Sequence, residues 1–176
     1  KILKSMNRKH SIREYLEIID ILREKNPKIE FASDFIIAYP GEKDDDFNKT
    51  CKLMEKIQFI NSYSFIFSPR PGTPASEMKM INAKIAKERL TRFQEIAEKM
   101  KLKHKKKLLN QQVKVLFENK MINEKNKYFG RDEYQNPVIA FSNEDITGQE
   151  KRILIKRYTQ HTIYGEIIKK GNSLAA

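Results

Sequence analysis

The sequence predicts an α/β unit followed by a small antiparallel β-barrel. Helix-period and continuous apolar runs alternate in the first part, whereas short β-type runs separated by turn signals fill the stretch from 112 to 168. A chain of 176 residues can hold two small domains. We therefore predict domains over 1–109 and 110–169, with 170–176 as a frayed tail.

Local signals define the first helix and the first strand. Ser11 and Glu14 form a capping-box pattern, which predicts a helix over 12–25 that Asn26 and Pro27 end. The nearly continuous apolar run over 29–38 is typical of a strand covered on both faces, as in a parallel sheet.

A second helix and a second strand complete a βαβ unit. The acids at 44–46 favour the helix start, and one apolar stripe follows, consisting of Phe47, Cys51, Met54 and Ile57. The next β-type run, 60–67, should lie parallel to the first strand with a right-handed connection. We expect Cys51 to lie in the core.

The run after this strand is rich in proline. Three prolines and Gly72 within 69–74 stop any helix or central strand, so a stiff loop is expected with Arg70 as a fixed cation. Such a loop at the carboxyl end of a buried strand is where α/β folds place ligand contacts. An ordinary rigid connection remains equally consistent with the pattern.

A long helix is predicted over 83–109, with Ile85, Leu90, Phe93, Ala97, Met100 and Leu108 on or near one side. Its last turns are basic, with cations at Lys99, Lys101, Lys103, Lys105, Lys106 and Lys107. A solvated helix end and a nucleic-acid contact explain this run equally well, because no aromatic residue lies within it to stack on bases.

The second domain shows β-type runs over 113–117, 137–141, 152–158 and 163–168. Four or five short strands in so few residues predict a barrel of the size of small nucleic-acid binders. Cations and aromatics occur together at Lys127, Tyr128, Arg131, Tyr134, Lys156, Arg157 and Tyr158. This grouping suits RNA contacts. Tyrosines in small barrels are more often core residues, however, so a core role for these tyrosines stays open as the alternative.

The amino-acid composition limits the kinds of partner that the chain can bind. The chain has 35 Lys+Arg against 23 Asp+Glu, and a net charge of +12 favours polyanions, nucleic acid first. No run approaches the length of a membrane span, and we expect a cytoplasmic protein without a membrane partner. One cysteine excludes a disulfide or a cysteine cluster within this sequence, and the three histidines lack metal-ligand spacing. We predict neither a metal site nor a catalytic residue in this chain.

Only two parallel strands are evident in the first domain, and two strands cannot bury both faces of a parallel sheet. We therefore expect this domain to be the C-terminal part of a larger α/β barrel or sheet.

Three motifs together resemble one known family. They are MNRKHS at 6–11, SDFIIAYPGE at 33–42 and FSPRPGTPA at 67–75. In this order and spacing they resemble the radical S-adenosylmethionine tRNA methylthiotransferases, and the SPRPG form of the loop resembles the branch that acts on isopentenyl-type adenosine-37. Gly130-Arg131 and Tyr164-Gly165-Glu166 resemble landmarks of its TRAM domain, an RNA-binding β-barrel.

The resemblance implies a fold and a reaction. Residues 1–109 would be the C-terminal part of a radical-SAM α/β barrel, and 110–169 would be the TRAM domain. The complete enzyme would use S-adenosylmethionine and 4Fe–4S clusters to add a methylthio group to C2 of the adenine. Its partner would be the anticodon loop of tRNA, and the complete enzyme would be monomeric.

The resemblance also implies site residues. A cofactor site would consist of Arg8, Ile37, Tyr39, Pro40, Gly41, Phe67, Ser68 and Arg70. The RNA contacts would be Lys103, Lys105, Lys106, Lys107, Lys127, Arg131, Lys156 and Arg157.

Two departures from the family pattern bear on activity. Ala38 and Tyr39 stand where the family has Gly-Phe. The C-x-x-x-C-x-x-C motif that ligates the catalytic cluster is absent, so the chain alone should not catalyse the reaction. Three alternatives follow: a part of the enzyme completed by a missing portion or by a separate chain, a non-enzymatic RNA-binding remnant of a truncated or split gene, or the sister enzyme acting on threonylcarbamoyl-adenosine-37.

Overall fold

The predicted α/β arrangement forms the first part of the structure. The computed structural model describes residues 1–122 and 124–168, and the chain divides into two units, the first over Lys1–Lys101 and the second starting at Leu102. The helices and strands of the first part are α1 (Ile2–Ser5), α2 (Ile12–Lys25), β1 (Ala32–Ile37), α3 (Asp44–Ile57), β2 (Asn61–Ile66), a 3₁₀ turn (Pro74–Glu77) and α4 (Ala83–Lys107). The predicted tail, 170–176, lies outside the described residues, and the predicted domain bounds stay predictions.

Side-chain caps explain where the helices begin. The Ser11 hydroxyl accepts from the Glu14 N–H at 3.2 Å and the Glu14 carboxylate accepts from the Ser11 N–H at 2.6 Å, which confirms the predicted capping box of α2. In α3 the acids lie inside the first turn rather than at the cap, since Lys43 is the N-cap residue. Asp46 accepts the Lys43 N–H at 3.1 Å, so an acid still satisfies one free donor.

The two strands of the first unit are parallel, as predicted. Their register pairs Ala32 with Asn61 and Ile37 with Ile66. The predicted stripe of α3 is confirmed, because all four of its residues, Cys51 included, lie in the core. On α4 the prediction for Ile85 is wrong. Ile85 is exposed while its neighbour Ala86 is buried, because the core-facing row of α4 passes through Ala86 and Phe93 at helical spacing.

The second unit contains a closed β-barrel. Its strands among the described residues are β3 (Gln112–Lys120), β4 (Lys127–Asp132), β5 (Pro137–Phe141), β6 (Glu150–Tyr158) and β7 (Ile163–Ile167), in the order β3-β4-β5-β7-β6. The prediction of a wholly antiparallel barrel is wrong at one seam, since β5 and β7 pair in parallel. β6 lies between them in the chain, so closing the barrel through β5 and β7 brings two strands of the same direction together.

The sequence pattern did not reveal β4. Tyr128, Gly130 and Asp132 are buried while the residues between them are not, which is the period of two that a half-buried strand requires. A glycine and an aspartate at inward positions hide this alternation from a hydrophobicity pattern.

Two glycines explain how tightly the barrel strands approach. A Cβ built on Gly130 would lie 2.3 Å from the Leu116 carbonyl oxygen, and one on Gly165 would lie 2.4 Å from Ile153 Cγ2. These are the glycines of the two TRAM-like motifs, and close strand packing explains why a residue without a side chain is needed there.

No helix in the described part of the chain is long and apolar enough to cross a membrane.

We predict that Gly130→Ala destabilises the barrel by about 2 kcal/mol or more, because backbone atoms of β3 would have to move. Gly148→Ala is the matched control, since its φ of +75° strains an alanine while no atom lies within 4 Å of the new Cβ. That control should cost about 1 kcal/mol. Thermal unfolding of both variants measures the difference, and equal losses would contradict the close approach at Gly130.

Candidate functional site

The ends of β1 and β2 come together at one edge of the sheet. The Phe67 N–H donates to the Ile37 carbonyl at 2.8 Å, and the Tyr39 and Phe67 rings pack edge to face with centroids 5.0 Å apart. Because parallel strands end at the same edge, residues far apart in sequence line one surface. The structure therefore places the predicted residues Ile37, Tyr39 and Phe67 side by side at what we call the strand-end surface, where Ile37 and Tyr39 are buried and Phe67 is partly exposed.

A buried ion pair holds the loop that follows β1. Glu42 accepts from Arg89 Nη1 at 2.8 Å, and both of its carboxylate oxygens lie within 3.3 Å of the Ala38 N–H. Arg89 also donates to the Glu42 carbonyl at 3.2 Å and pairs with Asp44 at 2.6 Å. Burial raises the pKa of the Glu42 carboxyl, and the Arg89 guanidinium opposes that rise. Arg89 thus fixes the C-terminal end of the loop to α4, and the hydrogen bonds between Ala38 and Glu42 close the loop on itself.

The backbone of this loop takes a shape that favours glycine. Ala38 has a φ of +60° and is 1% exposed, and Gly41 has a φ of +83°. A Cβ on Gly41 would meet only the Met78 methyl, at 3.9 Å, so the surface beside it is open. The family pattern has glycine at the position of Ala38. Glycine adopts a positive φ without steric cost, whereas alanine does not, so this departure strains the backbone at Ala38.

The other predicted cofactor residues differ in exposure. Pro40 is buried, whereas Ser68 and Arg70 are exposed beyond the end of β2. The Arg70 carbonyl accepts from Thr73 Oγ1 at 2.8 Å, which closes the turn, and its guanidinium forms no ion pair with any described residue. Arg8 is also exposed, and among the described residues no hydrogen bond joins its guanidinium to the strand ends.

The basic end of α4 divides into exposed and buried cations. Lys103, Lys106 and Lys107 are exposed, but Lys105 is fully buried and its ammonium donates to the Gln160 carbonyl at 2.5 Å. The prediction that Lys105 contacts RNA is therefore corrected, because its charge faces the loop before β7. Helical spacing turns Lys105 inward together with His104 and Leu108, while Lys103, Lys106 and Lys107 face solvent.

Beside Lys105, a buried polar cluster joins the helix end to the β4–β5 turn. His104 Nε2 lies 3.5 Å from Asn136 Nδ2, and Asn136 donates to Asp132 at 2.9 Å. Asp132 also accepts the backbone N–H of Tyr134. Burial raises the pKa of the Asp132 carboxyl, although its hydrogen bonds oppose this. Tyr134 packs edge to face on His104, so both residues serve packing rather than an open site.

The predicted cations of the barrel are mostly paired with acids. Lys127 pairs with Glu124, Arg131 with Glu118 at 3.3 Å, and Lys156 with Glu166 at 3.5 Å. Arg157 instead lies over the Tyr164 ring at 3.8 Å from its centroid. Tyr128 is buried, which supports the core interpretation for that tyrosine, and Tyr158 packs partly against the core.

Sequence reasoning missed the Glu42–Arg89 pair. Glu42 ends a recognised motif, but Arg89 lies 47 residues further on among other helix cations, and no local pattern separates it from them. Three outward aromatics of the barrel were also missed as a group, namely Phe129, Phe141 and Tyr164. Gly130 and Asp132 hide the alternation of β4 in the sequence, so no sequence pattern marked Phe129 as an outward residue.

Among residues 1–122 and 124–168, no group of three or more His, Cys, Asp or Glu side chains is placed to hold a metal ion. Cys51 is buried in the first core, and burial raises the pKa of its thiol, which disfavours the thiolate that metal binding needs.

Comparison with known proteins shows which proteins this chain resembles in sequence. No family model matches the chain. A tRNA-2-methylthio-N(6)-dimethylallyladenosine synthase of Pelagibacter ubique is 46% identical over 176 residues, which is 100% of this chain and 39% of that protein. Synthases of the same name match from Wolbachia pipientis wMel, 43% identical over 82% of the chain and 33% of the relative, and from Ehrlichia chaffeensis, 41% identical over 85% of the chain and 34% of the relative.

The chain belongs to the tRNA methylthiotransferase family. Within that family it is homologous to the C-terminal part of the tRNA-2-methylthio-N(6)-dimethylallyladenosine synthases and spans about two fifths or less of their length.

We predict that Arg89→Met lowers the free energy of unfolding by about 3 kcal/mol, because it leaves the Glu42 carboxylate buried without its cation. Arg92→Met is the matched control, since both guanidinium groups lie over the Phe47 ring, at 5.6 and 5.5 Å, but Arg92 forms no ion pair among the described residues. Chemical denaturation measures both. A loss for Arg92→Met as large as that for Arg89→Met would show that the ring contact, not the ion pair, stabilises the loop.

Proposed function

We propose that this chain is the C-terminal part of a radical-SAM enzyme that adds a methylthio group to C2 of isopentenyl-type adenosine-37 in tRNA. The observation that carries the proposal is identity of 46% along the whole chain to a synthase with that product. The arrangement of a strand-end surface in the first unit and a small barrel in the second supports it. We place the complete enzyme in the cytoplasm as a monomer, where it meets the anticodon loop of tRNA.

The strand-end surface is the proposed binding site for S-adenosylmethionine. The partly exposed Phe67 ring, an open backbone at Gly41 and exposed guanidinium groups suit a cofactor with an adenine ring and a carboxylate. When bound, S-adenosylmethionine supplies the radical initiator and the methyl group. The residues proposed to hold it are Arg8, Ile37, Tyr39, Pro40, Gly41, Phe67, Ser68 and Arg70.

The iron–sulfur clusters do not fit this chain. Cluster iron needs several thiolates, and the sequence has the single Cys51, which lies in the core. We therefore propose that the cluster ligands lie outside this sequence, in a preceding portion or in a separate chain. This chain orients the cofactor and the RNA and excludes water from the reacting atoms.

The second unit is proposed to be a TRAM domain that binds tRNA. The excess of cations favours phosphate, and the exposed lysines at the end of α4 have no acid partner among the described residues. The cations proposed to contact RNA are Lys103, Lys106, Lys107, Lys127, Arg131, Lys156 and Arg157.

A second candidate function is RNA binding without catalysis. The single cysteine is the observation that favours it, since the chain lacks cluster ligands of its own. The sister reaction on threonylcarbamoyl-adenosine-37 is less favoured, because the relatives described above carry the dimethylallyladenosine name.

A chimera can test the cofactor proposal. In the Pelagibacter ubique relative, with its C-terminal part replaced by this chain, we expect Arg70→Ala to reduce methylthiolation of tRNA by about 10- to 100-fold. A guanidinium grips a carboxylate in two places, and alanine removes both hydrogen bonds. Mass spectrometry of tRNA nucleosides measures the product, and binding of the anticodon stem-loop should stay unchanged.

Arg13→Ala is the control for the Arg70 experiment. Arg13 is exposed, and among the described residues its one ion pair is with Glu17 on its own helix, at 2.9 Å, so its loss should leave both readouts unchanged. Equal loss of methylthiolation and RNA binding in Arg70→Ala would remove Arg70 from the cofactor site and place it in RNA recognition.

Adjacent lysines on α4 test the RNA-binding proposal. We expect Lys106→Met to weaken binding to the anticodon stem-loop and to lower the slope of log affinity against log salt by about 0.7, as for one lost phosphate contact. Lys105→Met should leave this slope unchanged, because the Lys105 ammonium is buried against backbone carbonyls. Fluorescence anisotropy over a salt series measures both, and melting curves check that each variant is folded. Equal slopes for wild type and Lys106→Met would contradict a phosphate contact there.

A further inference from the structure

The outer face of β4, β5 and β7 carries a cluster of aromatic side chains. Tyr128 and Gly130 of β4, Val138 and Ala140 of β5 and Ile163 of β7 are buried. Side chains alternate along a strand, so the residues between them face outward. The outward residues are Lys127, Phe129, Arg131, Ile139, Phe141 and Tyr164.

Strand pairing places these residues in rows across the three strands. Phe129 is the partner of Ile139, and Ile139 is the partner of Tyr164, so the three form one row. Lys127 and Phe141 form the next outward pair, two residues away from Phe129 and Ile139 along the same strands. Directly paired residues have neighbouring Cβ atoms, and the aromatic residues at diagonal positions remain within reach of one another. We call this surface the aromatic face; it groups apolar and aromatic side chains between the charged Lys127 and Arg131.

Phe141 is a solvent-exposed residue of the aromatic face. Its side chain is 58% exposed, and it makes no ring–ring or cation–π contact with any described residue. A phenylalanine so exposed contributes little to the barrel core. A planar apolar group in this position suits a partner that is itself planar, and every nucleobase offers such a surface.

Cations border the aromatic face. The Arg157 guanidinium lies 3.8 Å from the Tyr164 centroid, and the Arg131 guanidinium lies 5.5 Å from the Phe129 centroid. Arg131 is also paired with Glu118, whereas Arg157 has no carboxylate partner among the described residues. Arg157 thus presents a charged plane that can stack on a base or donate to the phosphate beside it.

We propose that the aromatic face binds unpaired RNA bases, with one base stacked on Phe141 and the adjoining nucleotide held by Arg157. This proposal rests on the proposed RNA-binding function of the barrel and adds that the recognised RNA is single-stranded. A duplex cannot place a base on Phe141, because its bases are already stacked and paired inside the helix. An anticodon loop, in contrast, offers unpaired bases.

Anisotropy titrations of the 176-residue chain with a single-stranded oligoadenylate and with an RNA duplex of the same length test the proposal. Phe141→Ala should weaken binding of the oligoadenylate by about tenfold and leave duplex binding and the salt slope unchanged. Phe65→Ala is the matched control, since Phe65 is 56% exposed on β2 of the first unit. Phe141→Leu provides a second test that keeps the apolar bulk, and it should also weaken the single-stranded complex.

The outcomes distinguish failure of the stacking proposal from failure of the RNA-binding function on which it rests. A wild-type chain that binds neither RNA would overturn the proposed RNA-binding function together with the aromatic face. A wild-type chain that binds RNA, with Phe141→Ala and Phe141→Leu no weaker than Phe65→Ala, would overturn the stacking proposal alone. Equal losses for oligoadenylate and duplex would likewise overturn it, because a stacked base cannot account for them.

Discussion

The Glu42–Arg89 ion pair is the interaction on which the strand-end surface depends. It joins the loop after β1 to α4, and the same carboxylate accepts the N–H of Ala38, whose φ is positive. Without this acceptor, the left-handed backbone at Ala38 would leave its N–H buried and unpaired. Desolvation of the two charges is costly, and the additional hydrogen bonds of Arg89 offset part of that cost. The arrangement gives a rigid edge on which Tyr39 and Phe67 meet.

Local sequence signals predicted most of the helices and strands, although not β4, whereas contacts between residues distant in sequence determine the geometry of the site. The capping box of α2 and the stripe of α3 depend on spacing within one helix, and both are confirmed. The Glu42–Arg89 pair, the burial of Lys105 and the parallel β5–β7 seam depend on residues brought together by the fold. Spacing along one segment does not identify partners on other segments, so the sequence did not show that the Lys105 ammonium bonds the loop before β7.

The net charge of the chain does not show which of its cations are free to contact phosphate. Most predicted cations of the barrel are paired with carboxylates, while Lys103, Lys106 and Lys107 are exposed at the end of α4. Exposed ion pairs are weak, so a phosphate can compete for the paired cations at little cost. The aromatic face adds contacts that salt does not screen. The proposed binding therefore combines an electrostatic part, which salt weakens, with a stacking part, which it does not.

The most direct test of the central proposal is the nucleoside composition of tRNA from cells whose sole methylthiotransferase is the chimera. In it, this chain replaces the C-terminal part of the Pelagibacter ubique relative, which supplies the cluster-binding portion. We predict that mass spectrometry will detect 2-methylthio-N6-dimethylallyladenosine in the chimera and not in cells that lack it. A folded, cluster-containing chimera that binds tRNA yet produces none of this nucleoside would contradict the enzymatic role and favour RNA binding alone.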